Sequence, residues 1–304
     1  MTLKENHPRR QHCVPRFLLK QFGDKDERFF VFNKATGVSF ESEAVAVIAQ
    51  THFYDFVDST GEQQTYEYVL AYHEGVISQL FRTIIERESV AHLTGQDRLN
   101  IGQFIAVLQY RTQAVRHRLK SLYQGIQRTL EERGIDGGDV VPKFTAENLQ
   151  KASLQHMHQS IKNGRIFSRR LLMLQRAPDS TPFYISDNPV AMVNPLEPHI
   201  RRMPEHRGTE VYMPISRQFS LHIASDFAAR VLFGDLTREA RIRAVSALSS
   251  KAHLLASEDA ENQNMFQVEH SSRFIISAID DFKLVMEMIQ RNPKLKEPPG
   301  YTVS

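Results

Sequence analysis

The sequence predicts an α+β fold with long helices and short antiparallel strands in separate blocks. Two observations predict it. Apolar residues recur at helical spacing over two long segments, roughly 64–88 and 96–133. Short strand-like segments lie before and after these helices. They do not alternate with helices, as the strands of a doubly wound sheet would.

The N-terminal block is predicted to begin with a short helix and to continue as a β-hairpin. Pro15 suits the first turn of a helix over about 14–22. Two β-prone segments, 28–32 and 38–41, flank a turn-forming segment that ends in glycine. Residues 51–57 are expected to form a third short strand or turn.

The second long helix has recognisable ends. Thr94 is predicted to cap it, and Asp97 should interact favourably with its positive end. Glycines at Gly134 and at Gly137–Gly138 are expected to close it. A further helix is predicted over about 146–162.

Beyond about residue 164 the pattern changes to short strands and then to helices. The predicted strands cover 171–174, 183–185, 191–193, 210–213 and 220–223. The predicted helices cover 237–249, 258–271 and 280–290, and the tail, 293–304, should be extended. We expect a single domain over 1–304. Its hairpin and long helices fill about 12–163, and its strand-rich middle and C-terminal helices fill about 164–292.

Composition and charge are typical of an ordinary globular protein that is mildly basic. Of 304 residues, 41% are hydrophobic and 24% are charged, and the net charge is +3 at pH 7. Cys13 is the single cysteine, which excludes an intrachain disulfide and a cysteine-based zinc site within one chain. No apolar run is long enough to span a membrane, and the start lacks a signal-peptide core, so we expect a cytoplasmic protein.

The first candidate site lies near the N-terminus, directly before an apolar run. His12 lies close to Arg16 and could act as a general base or contact a phosphate. The alternative is a histidine that caps or packs at the start of the short helix. Cys13 is a poor nucleophile, because the side chains of neighbouring residues diverge, so a buried free thiol is expected.

The second candidate site is the turn Asp187-Asn188-Pro189 between two apolar strands. Asx residues before proline form tight turns, which is the structural alternative. The functional alternative is that Asp187 binds a divalent metal, positions water or pairs with a guanidinium.

Charged residues on the two long helices are further candidates. Arg111 lies at the edge of an apolar stripe and must find an anionic partner or extend to water. Glu67 and Glu74 share one face of the first long helix, either as paired carboxylates or as a solvated edge. The motifs of P-loop, simple Rossmann, zinc-protease and hydrolase-elbow proteins are absent.

Four separated motifs resemble one family, in the same order along the chain. The family has an opening His-x-Val-Pro pattern, a Gln-x-Arg-Thr helix motif, a Ser-Asp-Asn-Pro turn and a Pro-Leu-Ser strand. The corresponding segments here are His12-Cys13-Val14-Pro15, Gln109-Tyr110-Arg111-Thr112, Ser186-Asp187-Asn188-Pro189 and Pro214-Ile215-Ser216. The chain thus resembles the bacterial and fungal domain of unknown function numbered 4238.

This resemblance extends from about His12 to Ser277. The chain departs from the pattern at Cys13, where an aromatic residue is common, and at Ile215, where leucine is common. The family name implies no activity. The resemblance does favour one shared site, made of His12, Arg16, Arg111, Asp187 and Asn188.

We therefore expect an enzyme that acts on a phosphate-bearing substrate, either a nucleotide or a nucleic acid, and that could be a hydrolase dependent on Mg²⁺ or Mn²⁺. Arg16, Arg111 and Asn188 would bind the substrate. Asp187 would hold the metal or position water, and His12 would move a proton. A toxin or phage-defence setting would suit such an activity, although no residue indicates it. The rival hypothesis is a non-catalytic module for an anionic ligand or nucleic acid, in which the polar cluster is a structural ion-pair network.

Overall fold

The predicted α+β fold is confirmed, with helices and several small, mainly antiparallel sheets. The computed structural model of the protein describes residues 10–57, 60–135, 145–196, 204 and 206–299. The strands are β1 (Arg10–His12), β2 (Arg28–Asn33), β3 (Val38–Glu43), β4 (Ala49–Thr51), β5 (Asp55–Val57), β6 (Gln63–Thr65), β7 (Leu172–Arg176), β8 (Ile185–Ser186), β9 (Ala191–Val193), β10 (Glu210–Pro214), β11 (Phe219–Ile223), β12 (His253–Leu254) and β13 (Phe274–Ser277).

The helices account for most of the remaining described chain. They are α1 (Arg16–Lys20), α2 (Glu67–Arg87), α3 (Gly95–Tyr110), α4 (Gln113–Glu132), α5 (Ala146–Ser160), α6 (Gly164–Arg169), α7 (Asp226–Phe233), α8 (Arg238–Ser250), α9 (Ser257–His270) and α10 (Lys283–Arg291). No helix in the described ranges is both long enough and apolar enough to cross a membrane.

The predicted hairpin of β2 and β3 is confirmed, and it forms one side of a four-stranded sheet. The strand order in this sheet is β3-β2-β13-β8. β13, which the sequence did not predict, pairs antiparallel with β2 and with β8. Ile275 therefore lies opposite Phe32 of β2 and Ser186 of β8. This pairing brings the segment before β13 next to the predicted Asp187 turn.

A five-stranded sheet forms the second half of the fold. Its order is β12-β7-β11-β10-β9, and all its pairs are antiparallel except β12 with β7. The two sheets and helices α1, α2, α3 and α6 contribute to one large apolar cluster, whose members extend from Val14 to Ile276.

The prediction of one helix over 96–133 was wrong, because the helix is interrupted. α3 ends at Tyr110, Thr112 is extended (φ −118°, ψ 159°), and α4 begins at Gln113. Neither proline nor glycine marks the break. The chain changes direction at Thr112, next to the buried Arg111 side chain. Contacts of Arg111, such as its ion pair with Glu74, offset the helical hydrogen bonds that the break removes.

The start of α3 agrees with the prediction. The Thr94 side chain accepts a hydrogen bond from the Asp97 N–H, and the Asp97 carboxylate accepts one from the Thr94 N–H at 2.9 Å. These reciprocal bonds form a capping box, which satisfies two otherwise unpaired donors.

Several smaller features differ from the predictions. The residues at 293–296 form a short 3₁₀ turn and are not extended, and α7 was not predicted. Pro15 precedes α1 as its N-cap and does not lie within the first turn. Gly137–Gly138 and the final residues, 300–304, lie outside the described residues.

Candidate functional site

The guanidinium of Arg111 lies at the centre of a buried hydrogen-bond network. The side chain follows the last residue of α3 and is 3% exposed. Its Nε donates to the Tyr54 hydroxyl at 2.9 Å, and its Nη1 donates to Glu74 at 2.7 Å. Its Nη2 donates to the main-chain carbonyl of His12 at 2.8 Å, and the Tyr54 hydroxyl donates to the same carbonyl at 2.9 Å. We call these four residues the Arg111 network.

The charges in this network compensate each other. Burial lowers the pKa of Arg111, but the oxygens of Tyr54 and Glu74 outweigh it, so the pKa lies above its ordinary value. Burial also raises the pKa of Tyr54, so its phenol stays neutral and can donate. Because the guanidinium is desolvated, its charge depends on these acceptors for compensation.

The His12 imidazole does not take part in this network, which uses only the residue's carbonyl. Burial lowers the pKa of the imidazole, and Arg16 and Arg10 lower it further, against a hydrogen bond with the Val45 main chain. The Nε2 atom is buried and has no hydrogen-bond partner in the described part of the chain. Arg16 is exposed and affects His12 only through space. The Arg16 side chain is thus exposed whereas that of Arg111 is buried, so the two groups proposed to bind phosphate lie in different environments.

The Asp187 carboxylate is enclosed by main-chain donors. Oδ1 accepts from the Ser272 N–H at 2.7 Å, and Oδ2 accepts from Arg273 at 2.8 Å and from Phe274 at 3.2 Å. Burial raises the pKa of Asp187, while these hydrogen bonds and nearby Lys34 act in the opposite direction. Successive main-chain N–H groups of this kind form an anion-binding nest, and here the protein's own carboxylate fills it.

Lys34 is a buried cation that sequence reasoning missed. It is 1% exposed, and its Nζ donates to the carbonyls of Val268 at 3.1 Å and Ser271 at 2.8 Å. Burial lowers its pKa to about 8, although Asp187 acts to raise it. Its position in the hairpin turn after β2 offered no signal of burial, because lysine in a turn is ordinarily solvated.

Asn188 connects the Asp187 turn to the helix break. Its Nδ2 donates to the His270 carbonyl at 2.8 Å, and its Oδ1 accepts from the Thr112 hydroxyl at 3.3 Å. The Arg111 and Asp187 motifs therefore lie in one neighbourhood, as the sequence led us to expect. Their proposed roles in chemistry are not tested by these contacts.

Cys13 lies between the two motifs. It is 1% exposed, and burial raises its pKa to about 12, with smaller effects from Arg111 and Asp187. The expected buried free thiol is thus confirmed. At neutral pH the thiolate is too rare for this cysteine to act as a nucleophile.

An open cleft of about 660 Å³ lies on the Asp187 side of the network. We call it the basic cleft. Cys13 and Asp187 line its inner part, and Phe40 lines an outer wall. The exposed side chains of Arg273 and Lys296 supply its basic character, and His117 also lines it.

The surroundings of Asp187 do not fit the divalent metal site that the sequence predicts. Both carboxylate oxygens already accept main-chain hydrogen bonds. Across the described ranges, no three His, Cys, Asp or Glu side chains form a group suited to hold a metal ion. A magnesium or manganese site usually combines several carboxylate or other oxygen ligands around one point, so the described side chains give Asp187 no support as a metal ligand.

A second buried polar network lies in the five-stranded sheet. The Glu210 carboxylate accepts from the Tyr212 hydroxyl at 2.7 Å and from the Ser225 hydroxyl at 3.2 Å, and lies 3.1 Å from His222 Nε2. The Tyr212 and His222 rings stack with centroids 4.3 Å apart. Sequence reasoning missed this network. Residues 210–213 and 220–223 were predicted as strands, but the hairpin register that pairs them was not.

Comparison with known proteins identifies a family but no activity. No curated protein and no solved structure matches the chain significantly. One family model, described as a protein of unknown function (DUF4238), matches residues 10–281. This match covers both candidate motifs, the Arg111 network and both larger sheets, and the chain therefore belongs to the DUF4238 family.

Proposed function

We propose that this protein binds a phosphate-bearing ligand of nucleotide size in the basic cleft, and that the Arg111 network is the structural support of that site. One observation carries the proposal. The cleft presents two exposed cations, Arg273 and Lys296, beside a carboxylate whose charge is already compensated. A volume of about 660 Å³ suits a ligand of this size.

The cations of the cleft are available to an anion. Arg273 Nε donates to the Asn33 side chain at 3.3 Å, and its guanidinium lies over the Phe274 ring, 4.9 Å from the centroid. These contacts hold the group in place without neutralising it. Within the described residues, neither Arg273 nor Lys296 forms an ion pair. A guanidinium that is held in this way matches phosphate oxygens with little loss of entropy.

Burial lowers the pKa of His117, with a smaller effect of Lys120. The imidazole is therefore mainly neutral at pH 7 and would serve as a hydrogen-bond partner for the ligand. The phosphate-binding role that the sequence gave to Arg16 and Arg111 thus passes, in this proposal, to Arg273 and Lys296. Arg111 is committed to its own acceptors.

Binding is favoured over catalysis by the positions of the two groups expected to do chemistry. Main-chain donors take three of the roughly four acceptor positions of the Asp187 carboxylate, and the His12 side chain does not line the basic cleft. A general base needs a free acceptor within reach of the substrate. We place this binding in the cytoplasm, since a buried free thiol at Cys13 suits a reducing compartment.

Titration calorimetry of the purified protein with mononucleotides, inorganic pyrophosphate and a short single-stranded RNA tests the proposal. We expect saturable nucleotide binding that weakens as salt rises, because the contacts are partly exposed charges. Lys296→Ala should weaken binding about tenfold. This corresponds to ~1.4 kcal/mol, which is typical of one charge-assisted hydrogen bond. Lys294→Ala changes an exposed lysine of the same 3₁₀ turn that does not line the cleft, and it should bind as wild type does.

Three outcomes would contradict the proposal. The first is a lack of saturable binding by any nucleotide or by pyrophosphate. The second is equal weakening by Lys296→Ala and Lys294→Ala. The third is turnover of the bound ligand, measured by chromatography with Mg²⁺, with Mn²⁺ and with chelator, which would favour the enzyme hypothesis.

A further inference from the structure

A second pocket lies beside the Arg111 network, between α2, α3 and α5. It is partly open to solvent and has a volume of about 200 Å³. Its wall is formed mainly by Leu70, Phe104, Val107 and Met157, and we call it the helical pocket. Concave sites with a mainly apolar lining and a few polar groups are typical of small-molecule sites, so the pocket is a candidate binding site.

The polar lining of the helical pocket consists of the ion pair of the Arg111 network together with Gln103, His73 and His158. Glu74 and Arg111 both line it, and the Glu74 side chain is 25% exposed. One Glu74 oxygen accepts from Arg111 Nη1 at 2.7 Å. A carboxylate has about four acceptor positions, so Glu74 retains the capacity to accept a bond from a ligand.

The ion pair in this lining favours a neutral ligand. The carboxylate and the guanidinium compensate each other across 2.7 Å. A charged ligand would lose hydration and disturb one member of the pair, which costs more than it gains against a mainly apolar wall. A neutral N–H or O–H donor can bond to Glu74 without disturbing the pair.

The size and shape of the pocket favour one aromatic ring system. An apolar cavity of about 150 Å³ holds benzene. A volume of about 200 Å³ leaves room for a ring with one polar substituent or for two fused rings. Phe104 and Met157 offer ring and thioether contacts of the kind that stabilise bound aromatic groups.

We propose that the helical pocket binds a small, neutral aromatic molecule that carries one hydrogen-bond donor, such as an indole or a phenol. The ring lies against the apolar wall, and its donor bonds to Glu74. This site is separate from the basic cleft and does not depend on the ligand proposed for it.

Paired ligands test the donor, with the protein unchanged. Binding of indole and of 1-methylindole is followed by calorimetry and by the shift in the unfolding temperature. The two ligands share a ring system, but only indole has an N–H. We expect saturable binding of indole, weakened at least tenfold by methylation. No saturable indole binding, or equal binding of the two ligands, would overturn the proposal.

Paired variants test the location. Val69 lines the pocket and is 41% exposed, so Val69→Phe can extend into the pocket without overpacking the core. Ala71→Phe adds a larger side chain at an exposed position of the same helix that does not line the pocket. We expect Val69→Phe to weaken indole binding at least tenfold and Ala71→Phe to leave it unchanged. Wild-type affinity in a folded Val69→Phe protein would place the binding elsewhere.

Discussion

The Nη2 atom of Arg111 donates a 2.8 Å hydrogen bond to the main-chain carbonyl of His12, 99 positions earlier in the chain. This bond connects the end of α3 to the N-terminal segment that carries β1. The same guanidinium bonds to Glu74 on α2. A single side chain thus holds three separate parts of the sequence together.

Replacing Arg111 should therefore destabilise the protein strongly. Arg111→Ala leaves the Glu74 carboxylate and the Tyr54 hydroxyl oxygen without the donor they share, and it removes one of the two donors to the His12 carbonyl. We expect a loss of ~3–5 kcal/mol in the free energy of unfolding. Arg118→Ala removes an arginine whose Nε donates to the Ala114 carbonyl one turn earlier in the same helix, and it should cost ~0–1 kcal/mol. Urea denaturation measures both. Equal midpoints for the two variants would contradict a structural role of Arg111.

Asp187→Asn should also lower stability. The sequence predicts a turn that asparagine would satisfy, with loss of activity but an intact fold. The three main-chain donors predict a different outcome. An asparagine at this position keeps one oxygen but turns an amide NH₂ towards donors, so we expect a loss of ~1–3 kcal/mol. Asp235→Asn, at an exposed position, is the control and should leave the urea midpoint unchanged. Wild-type stability of Asp187→Asn would mean that the donors do not need the carboxylate.

Two glycines on different helices should respond to alanine in opposite directions. A Cβ at Gly102 in α3 would overlap the carbonyl oxygen of Gly164 in α6, whereas one at Gly75 in α2 would meet nothing within 4 Å. Gly102→Ala should therefore cost ~1–3 kcal/mol through overpacking. Gly75→Ala should stabilise by roughly 0.5–1 kcal/mol, since alanine is the better helix former. Thermal unfolding distinguishes the two, and a stabilised Gly102→Ala protein would show that α3 and α6 can separate freely.

Acid should weaken the five-stranded sheet through Glu210. Burial raises the pKa of Glu210, but hydrogen bonds from His222, Tyr212 and Ser225 outweigh it and lower the pKa from 4.5 to about 2. A carboxylate with a depressed pKa in the folded state stabilises above its unfolded pKa, and this stability is lost as the pH falls through the folded value. The free energy of unfolding should thus fall between about pH 4.5 and pH 2.

Glu210→Gln should make that pH profile flatter over the same interval. Glu239→Gln, at an exposed position of α8, should retain the wild-type slope. Urea midpoints measured across the interval compare the three proteins. A Glu210→Gln profile that runs parallel to wild type would show that other carboxylates account for the acid sensitivity.

Cys13 should resist alkylation in the folded protein. Cys13 is 1% exposed, so the reagent has little access to its sulfur. Burial raises the pKa of the thiol to about 12, so the reactive thiolate is rare near pH 7. Iodoacetamide should modify it rapidly in urea and very slowly in native buffer, as measured by mass spectrometry. Equal rates in the two conditions would show that the N-terminal segment opens readily.

Local patterns predicted the parts of the fold that local physics decides. The N-cap at Thr94 and the hairpin of β2 and β3 need only neighbouring residues, and both predictions are confirmed. The break between α3 and α4 could not be predicted in this way. The apolar stripe continues through it, and the break depends on distant acceptors such as the His12 carbonyl.

The candidate site was foreseeable to a similar extent. Arg111 was a candidate because a charged residue beside an apolar stripe needs a partner. Asp187 was a candidate because its turn lies between two apolar strands. Their partners were not foreseeable. The donors to Asp187 are main-chain groups, which have no sequence signature, and β13 is too short to display a clear period.

The position of β13 has a consequence for the order in which the protein folds during its synthesis. β13 fills the place between β2 and β8, and Arg273 just before it bonds to Asn33, 240 positions earlier. A ribosome that adds roughly 5–20 residues per second needs on the order of 10–50 s to make that stretch. Throughout this time the edge of β2 that faces away from β3 lacks its partner β13. Unpaired strand edges promote association between chains. Completion of this sheet is therefore a late event in synthesis. Until then, the exposed edge of the nascent hairpin is a segment that a chaperone would protect from association with other chains.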